Sequence, residues 1–197
     1  MSEQLDKNYW DSRYQTEQTG WDLGTASGPI RHYIDQISDK DLRILIPGCG
    51  NAYEAEYLSE QGFSNITLID ISPSLVQQLR NKFEGRQEIN VIEGDFFEHQ
   101  GEYDLILEQT FMCALDPKMR EAYVKKMHSL LSENGKLAGL LFGVHFEKAG
   151  PPFGGSISEY ELLFSNYFKI QTMEKAYNSV KPREGNELFI IFNKNNI

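Results

Sequence analysis

Gly48, Gly50 and Asp70 are the residues whose types and spacing point to chemistry. Gly48-Cys49-Gly50 follows the short apolar run 43–46 (RILI), and Asp70 ends the next apolar run, 22 residues after Gly48. A turn of small residues lets backbone come close to a ligand and offers helix-terminal N–H groups to an anion. A carboxylate about 20 residues farther along accepts ribose hydroxyl hydrogens. Each feature also has a plain structural reading, a tight turn without ligand and a helix cap. Ser72-Pro73 answers the second, since serine caps a helix that proline opens, and Asp70 is left free for a ligand.

A dinucleotide site needs a third glycine in the order G-x-G-x-x-G, and Asn51-Ala52-Tyr53 supplies none. Without that pyrophosphate clamp the pattern points away from NAD or FAD and toward a nucleoside that lacks phosphates. Asp95-Phe96 suits such a ligand, with a short acid for the adenine amino group and a ring to stack on the base. A loop aspartate beside a buried phenylalanine is the alternative. Among four histidines, His145, just past the apolar run 136–142, is the candidate for polarising or orienting a second reactant. Its alternative is a solvent-facing loop histidine. Cys113 has no activating partner in view and reads as a buried structural thiol. No metal site is expected.

These residues require elements to position them. Short apolar runs alternate with amphipathic segments, the pattern of βαβ units and a parallel sheet. Strands are predicted at 43–46, 66–69, 89–92, 103–107 and 136–142. Helices are predicted at 52–61, from Pro73 through Phe83, and at 117–131, where Met119, Ala122, Tyr123, Met127, Leu130 and Leu131 share one stripe. Asn134-Gly135 reads as the stop of that last helix. A short helix at 159–164 and two β segments at 170–177 and 187–193, forming a hairpin, complete the chain.

Length and composition fit one domain over 1–197: 40% hydrophobic and 24% charged residues are ordinary for a globular protein. No apolar run approaches the roughly 18–20 residues of a membrane span, so no membrane partner is expected. The polar opening MSEQLDKNYWDSRY carries no secretory signal, and two cysteines, Cys49 and Cys113, do not make a disulfide framework. A cytoplasmic monomer is the expectation. A formal net charge of −10 argues against nucleic acid, whose phosphates need clustered Lys and Arg, and favours small-molecule partners.

Trp21-Asp22-Leu23-Gly24, Ile46-Pro47-Gly48-Cys49-Gly50, Leu68-Ile69-Asp70-Ile71-Ser72, Tyr103-Asp104-Leu105-Ile106 and Gly150-Pro151-Pro152-Phe153 together resemble the thiopurine S-methyltransferase superfamily, nearest its halide and thiol methyltransferase branch. The likeness runs from about Trp10 to about Arg183. Pro47 stands where most class I methyltransferases place an acid. The resemblance implies a Rossmann-like α/β fold: a mostly parallel seven-stranded sheet, helices on both faces and a C-terminal antiparallel β-hairpin. It implies S-adenosyl-L-methionine as cofactor, covered by residues 1–40. Matched by position, Trp10, Tyr14 and Trp21 surround the methionine end and sulfonium, Gly48 meets the methionyl group and Asp70 the ribose. Asp95 and Phe96 meet the adenine, and Gln109 the cofactor at the end of strand four. Phe111, Phe142 and Phe153 form an apolar acceptor wall. Tyr14 replaces a tryptophan of the plant relatives, and Gln109 a residue that is often tyrosine.

The activity so implied is methyl transfer to a thiol, hydrosulfide or halide. A thiol with pKa near 8.5 needs little help from a base. The rivals are an O- or N-methyltransferase of the same fold and a non-catalytic cofactor-binding module.

Overall fold

The computed structural model describes residues 4–195. Both the expected domain 1–197 and the covering segment 1–40 include terminal residues that lie outside the described ones. Seven runs of mostly branched apolar residues form one sheet: β1 (Arg43–Pro47), β2 (Asn65–Asp70), β3 (Ile89–Glu93), β4 (Tyr103–Gln109), β5 (Leu131–Phe142), β6 (Phe168–Lys175) and β7 (Glu187–Lys194). Their order is β3-β2-β1-β4-β5-β7-β6. The first five are parallel, and β7 inserts antiparallel between β5 and β6. This is the expected mostly parallel sheet with a closing antiparallel pair.

Among the described residues six α-helices cover it: α1 (Lys7–Gln15), α2 (Gly28–Ile34), α3 (Tyr53–Glu60), α4 (Pro73–Lys82), α5 (Arg120–Leu130) and α6 (Ile157–Phe164). Successive strand residues face opposite sides, which splits the core in two. Ile44, Ile46 and Leu105 pack under α2, α3 and α4, with Ile30, Ala55 and Leu75. Leu45, Ile106 and Leu137 pack under α5 and α6, with Tyr123, Met127 and Phe164. Among the described residues no helix is long and apolar enough to cross a membrane.

Caps fix the helix starts. Ser72 accepts from the Leu75 N–H with Pro73 at the first helical position, as expected. Ser156 and Glu159 form a reciprocal capping box at α6, which therefore starts two residues before its predicted position. The predicted stop at Asn134-Gly135 is wrong. Helix α5 ends at Leu130 and the chain enters β5 at once, because Leu131 is buried at 1% exposure and pairs with Tyr103. Asn134 and Gly135 fall in a register shift of β5, where pairing jumps from Tyr103 with Leu131 to Leu105 with Lys136. The predicted helix start at Pro117 is a 3-10 turn leading into α5.

From β1 the chain winds outward through β2 to β3, then returns to the other side of β1 with β4. The carboxyl ends of β1 and β4 therefore flank a topological switch point, where open α/β sheets bind ligands.

Candidate active site

At that switch point β1 gives way to Gly48 and Gly50, whose φ angles of 55° and 51° lie in the left-handed region. A side chain at Gly48 would be strained and would meet the Phe111 ring at 2.2 Å. The Gly48 N–H is already held by the Ile69 carbonyl at 2.8 Å. The glycine is therefore required by the close approach of Phe111, and although Gly48 lines the cleft, the donor expected of it is engaged.

Asp70, at the end of β2, is 7% exposed. Its Oδ1 accepts the Ser72 N–H at 3.0 Å and its Oδ2 accepts the Gly50 N–H at a long 3.4 Å. Burial pushes its pKa up to about 6 against the opposing pull of those N–H groups. A carboxylate so desolvated, with one oxygen only weakly engaged, is suited to accepting hydroxyl hydrogens from a bound ligand.

Asp70 lies in a cleft of about 1540 Å³ that Trp10, Tyr14, Trp21, Gly48, Asp95, Phe96, Gln109, Phe111 and Phe142 also line. The usual pocket for one drug-sized molecule is roughly 300–1,000 Å³, so this cleft has room for a second small molecule beside the first. Trp21 stands edge-on to Trp10 and to Tyr14, with ring centroids 5.6 and 5.8 Å apart. The Tyr14 hydroxyl stands 3.4 Å from where a side chain at Gly50 would begin, and burial, followed by the Asp70 charge, raises its pKa well beyond the ordinary tyrosine value. Phe96 is only 5% exposed and packs against Phe97, Phe111 and Tyr123. It serves as floor, and the less buried Phe97 lines the cleft beside it. Asp95 is exposed and holds the Phe97 N–H at 2.8 Å.

Gln109 carries the most direct sign of a missing partner. Its Oε1 is buried with no hydrogen-bond partner, a state that costs about 1–3 kcal/mol unless a ligand donor reaches it. An amine or hydroxyl of a bound nucleoside-type molecule would satisfy it.

Two candidates, His145 and Phe153, lie outside the lining of the cleft, whereas Cys113 is part of it. His145 is largely exposed, does not line the cleft, and pairs its Nε2 with Glu159 at 3.0 Å. That partner belongs to the α6 capping box, which draws the imidazole outward. Phe153 lines a separate void of about 10 Å³ with Cys113, Phe142 and Tyr160, and its N–H donates to the Cys113 carbonyl at 2.7 Å. The Cys113 thiol is raised by burial first and by Glu108 second, the opposite of an activated nucleophile.

Several contributors went unpredicted. Arg183 lines the cleft, donates to the Trp21 carbonyl at 2.6 Å and pairs with the buried Glu187 at 3.3 Å. Asp22 accepts from the Asn51 side-chain amide, and from Tyr53 at 3.2 Å, fastening the segment between α1 and α2 to the glycine turn. Glu54 is 5% exposed and accepts the Ser27 N–H at 2.9 Å. Fully buried Glu108 accepts the Tyr123 hydroxyl and the N–H groups of Phe111 and Met112, at 2.8 and 3.1 Å. It shapes the turn after Gln109, which carries Phe111 and Met112. The one available signal was Glu108 itself, a carboxylate in the apolar run YDLILEQ.

The family model of thiopurine S-methyltransferase matches residues 5–194. The chain is 31% identical to the probable thiol methyltransferase 2 of Arabidopsis thaliana, over 90% of this chain and 81% of that one. It is 28% identical to thiocyanate methyltransferase 1 of Brassica oleracea, over 95% and 85%. The fold is shared with the 1,6-didemethyltoxoflavin-N1-methyltransferase of Burkholderia thailandensis, solved with 1,6-didemethyltoxoflavin and S-adenosylhomocysteine. The TM-score is 0.77 at 18% identity, covering 96% of this chain and 87% of that one.

Proposed function

The chain belongs to the thiopurine S-methyltransferase family and is a methyltransferase, and from that premise we propose that it transfers the methyl group of S-adenosyl-L-methionine to a small soft nucleophile. A thiol or hydrosulfide is the favoured acceptor, with halide a member of the same class. The reading includes one domain over 1–197, its residues 1–40 acting as cofactor cover, working as a cytoplasmic monomer on a small molecule.

The bound cofactor supplies an activated methyl group on a positively charged sulfur. The remaining work falls to the chain. In this reading Asp70 accepts the ribose hydroxyls, Asp95 meets the adenine edge, and Phe96 and Phe97 supply its aromatic surroundings. Gln109 offers its unpartnered oxygen to the methionyl amine, and Gly48 gives that end room. Trp10, Tyr14 and Trp21 present aromatic rings to the sulfonium, each contact contributing about 1 kcal/mol or more when water is excluded. Phe111 and Phe142 wall the space left for the acceptor.

Alignment of acceptor, methyl carbon and leaving sulfur supplies much of the rate in such an in-line displacement. The observation that carries the choice of a soft acceptor is the position of His145, turned outward onto Glu159. A thiolate needs no base at the methyl, whereas a phenol or an amine generally does. The test is a product assay at saturating cofactor across thiols, hydrosulfide, halides, phenols and amines. S-adenosylhomocysteine should form fastest with thiols or hydrosulfide. Faster turnover of phenols or amines, or no product with any acceptor, would overturn the proposal.

A further inference from the structure

Helix α1 carries Trp10 and Tyr14, one turn apart on the face toward the cleft. Such rings act on a cation only if the helix is held at one height and angle above it. Yet α1 has no fully buried residue, and although Tyr14 packs partly buried against the core, that one contact leaves the tilt of the helix to be set by others. Its pair between Lys7 and Glu93 is exposed at both ends, and exposed pairs hold little.

Asp11 does the holding. Its Oδ1 accepts three hydrogens from the start of α4: the Ser72 hydroxyl at 2.7 Å, the Ser74 N–H at 2.9 Å and the Ser74 hydroxyl at 2.7 Å. Its Oδ2 accepts from the Gln15 side-chain amide at 2.6 Å, within α1. The carboxylate thus spans the gap between two helices and leaves neither oxygen idle. The anchoring point is telling, because the Ser72 N–H donates to Asp70 Oδ1. One residue, Ser72, therefore touches both the anchor of the aromatic helix and the carboxylate at the end of β2. Asp11 itself does not line the cleft.

We propose that Asp11 is a positioning residue: by tying α1 to Ser72 and Ser74 it sets Trp10 and Tyr14 at a fixed distance from Asp70, coupling the sulfonium and ribose ends of the cofactor site. This rests on the functional reading above. Ser72 keeps its own place without Asp11, since its hydroxyl also caps α4 at Leu75, 3.3 Å away. Loss of Asp11 therefore frees the rings and spares the ribose site.

Calorimetry with S-adenosyl-L-methionine and with adenosine, which lacks the sulfonium, separates the two ends. D11A should weaken S-adenosyl-L-methionine about tenfold and change adenosine by less than about twofold. D11N, which keeps an acceptor oxygen, should recover affinity to within about threefold of wild type. Should D11A fail to fold, S74A removes one of the three donors and should weaken S-adenosyl-L-methionine about threefold with the same selectivity. Unchanged S-adenosyl-L-methionine affinity in these variants, or equal loss for both ligands, would overturn the positioning role. Wild-type protein that binds no S-adenosyl-L-methionine would overturn the functional reading, and the role of Asp11 with it.

Discussion

The Ser72 N–H donates to Asp70 Oδ1 at 3.0 Å, so the residue that caps α4 also fixes the rotamer of the buried carboxylate before it. Burial raises the Asp70 pKa to about 6. In the proposed complex, ribose hydroxyls donating to the carboxylate favour its ionised form, so cofactor binding would require the proton to leave. Affinity for S-adenosyl-L-methionine should fall as pH drops through about 6, by up to about tenfold per unit below it. Because the folded value lies above the unfolded one, Asp70 contributes stability at low pH that is lost as pH rises through about 6. Acidification over this window thus weakens binding without this group unfolding the protein. Asp70→Asn should bind more weakly at pH 8 and show no such pH dependence in calorimetric titrations from pH 5 to 8.

Glu108 gives a second pH effect, on stability. Burial raises its pKa to about 7, so the stability of its protonated form is lost as pH rises through that value. Glu108→Gln, which cannot ionise, should flatten the decline of Tm between about pH 4.5 and pH 7. Glu108→Ala leaves the Tyr123 hydroxyl and two N–H groups without their acceptor and should cost about 2–4 kcal/mol by denaturant unfolding.

Arg183 and Glu187 are both nearly buried, at 9% and 4% side-chain exposure. Arg183→Met strands the Glu187 charge and releases the Trp21 carbonyl, and should destabilise the protein by about 3–5 kcal/mol. Adding Glu187→Leu should recover most of that stability. It should not recover cofactor affinity, because the Trp21 tether remains cut. Urea unfolding and calorimetry on the single and double variants check the two halves.

His145→Ala should keep kcat/KM within about twofold of wild type, since an exposed pair with Glu159 contributes little. A collapse of turnover with intact cofactor affinity would mean that the loop closes onto the acceptor and brings a base with it.

Local signals were legible in the sequence, and contacts between distant segments were not. Ser72-Pro73 announced a helix start, and the glycine turn and Asp70 were readable because their spacing follows from one βαβ unit. The aromatic residues of the first 21 positions were recognisable through family resemblance alone, since nothing in their spacing told a cage from packing. Arg183 and Trp21 stand 162 residues apart, and Asp11 and Ser72 stand 61 apart; no periodicity links such pairs. Asn134-Gly135 misled because an Asn-Gly pair marks a helix end and a strand irregularity equally well, and burial of Leu131 decided between them. The outward turn of His145 onto Glu159 was not legible either, because nearness in sequence to Gly150-Pro151-Pro152 says nothing about which way a side chain turns.

The account stands on one cleft holding the cofactor with Asp70 at its ribose. Calorimetric titration of S-adenosyl-L-methionine into wild-type and Asp70→Ala protein at pH 8 tests it most directly. Loss of charge-assisted hydrogen bonds should weaken binding by about 1.5–3 kcal/mol while the variant stays folded. A folded Asp70→Ala protein with wild-type affinity, or wild-type protein that gives no binding heat and no protection from unfolding, would contradict it.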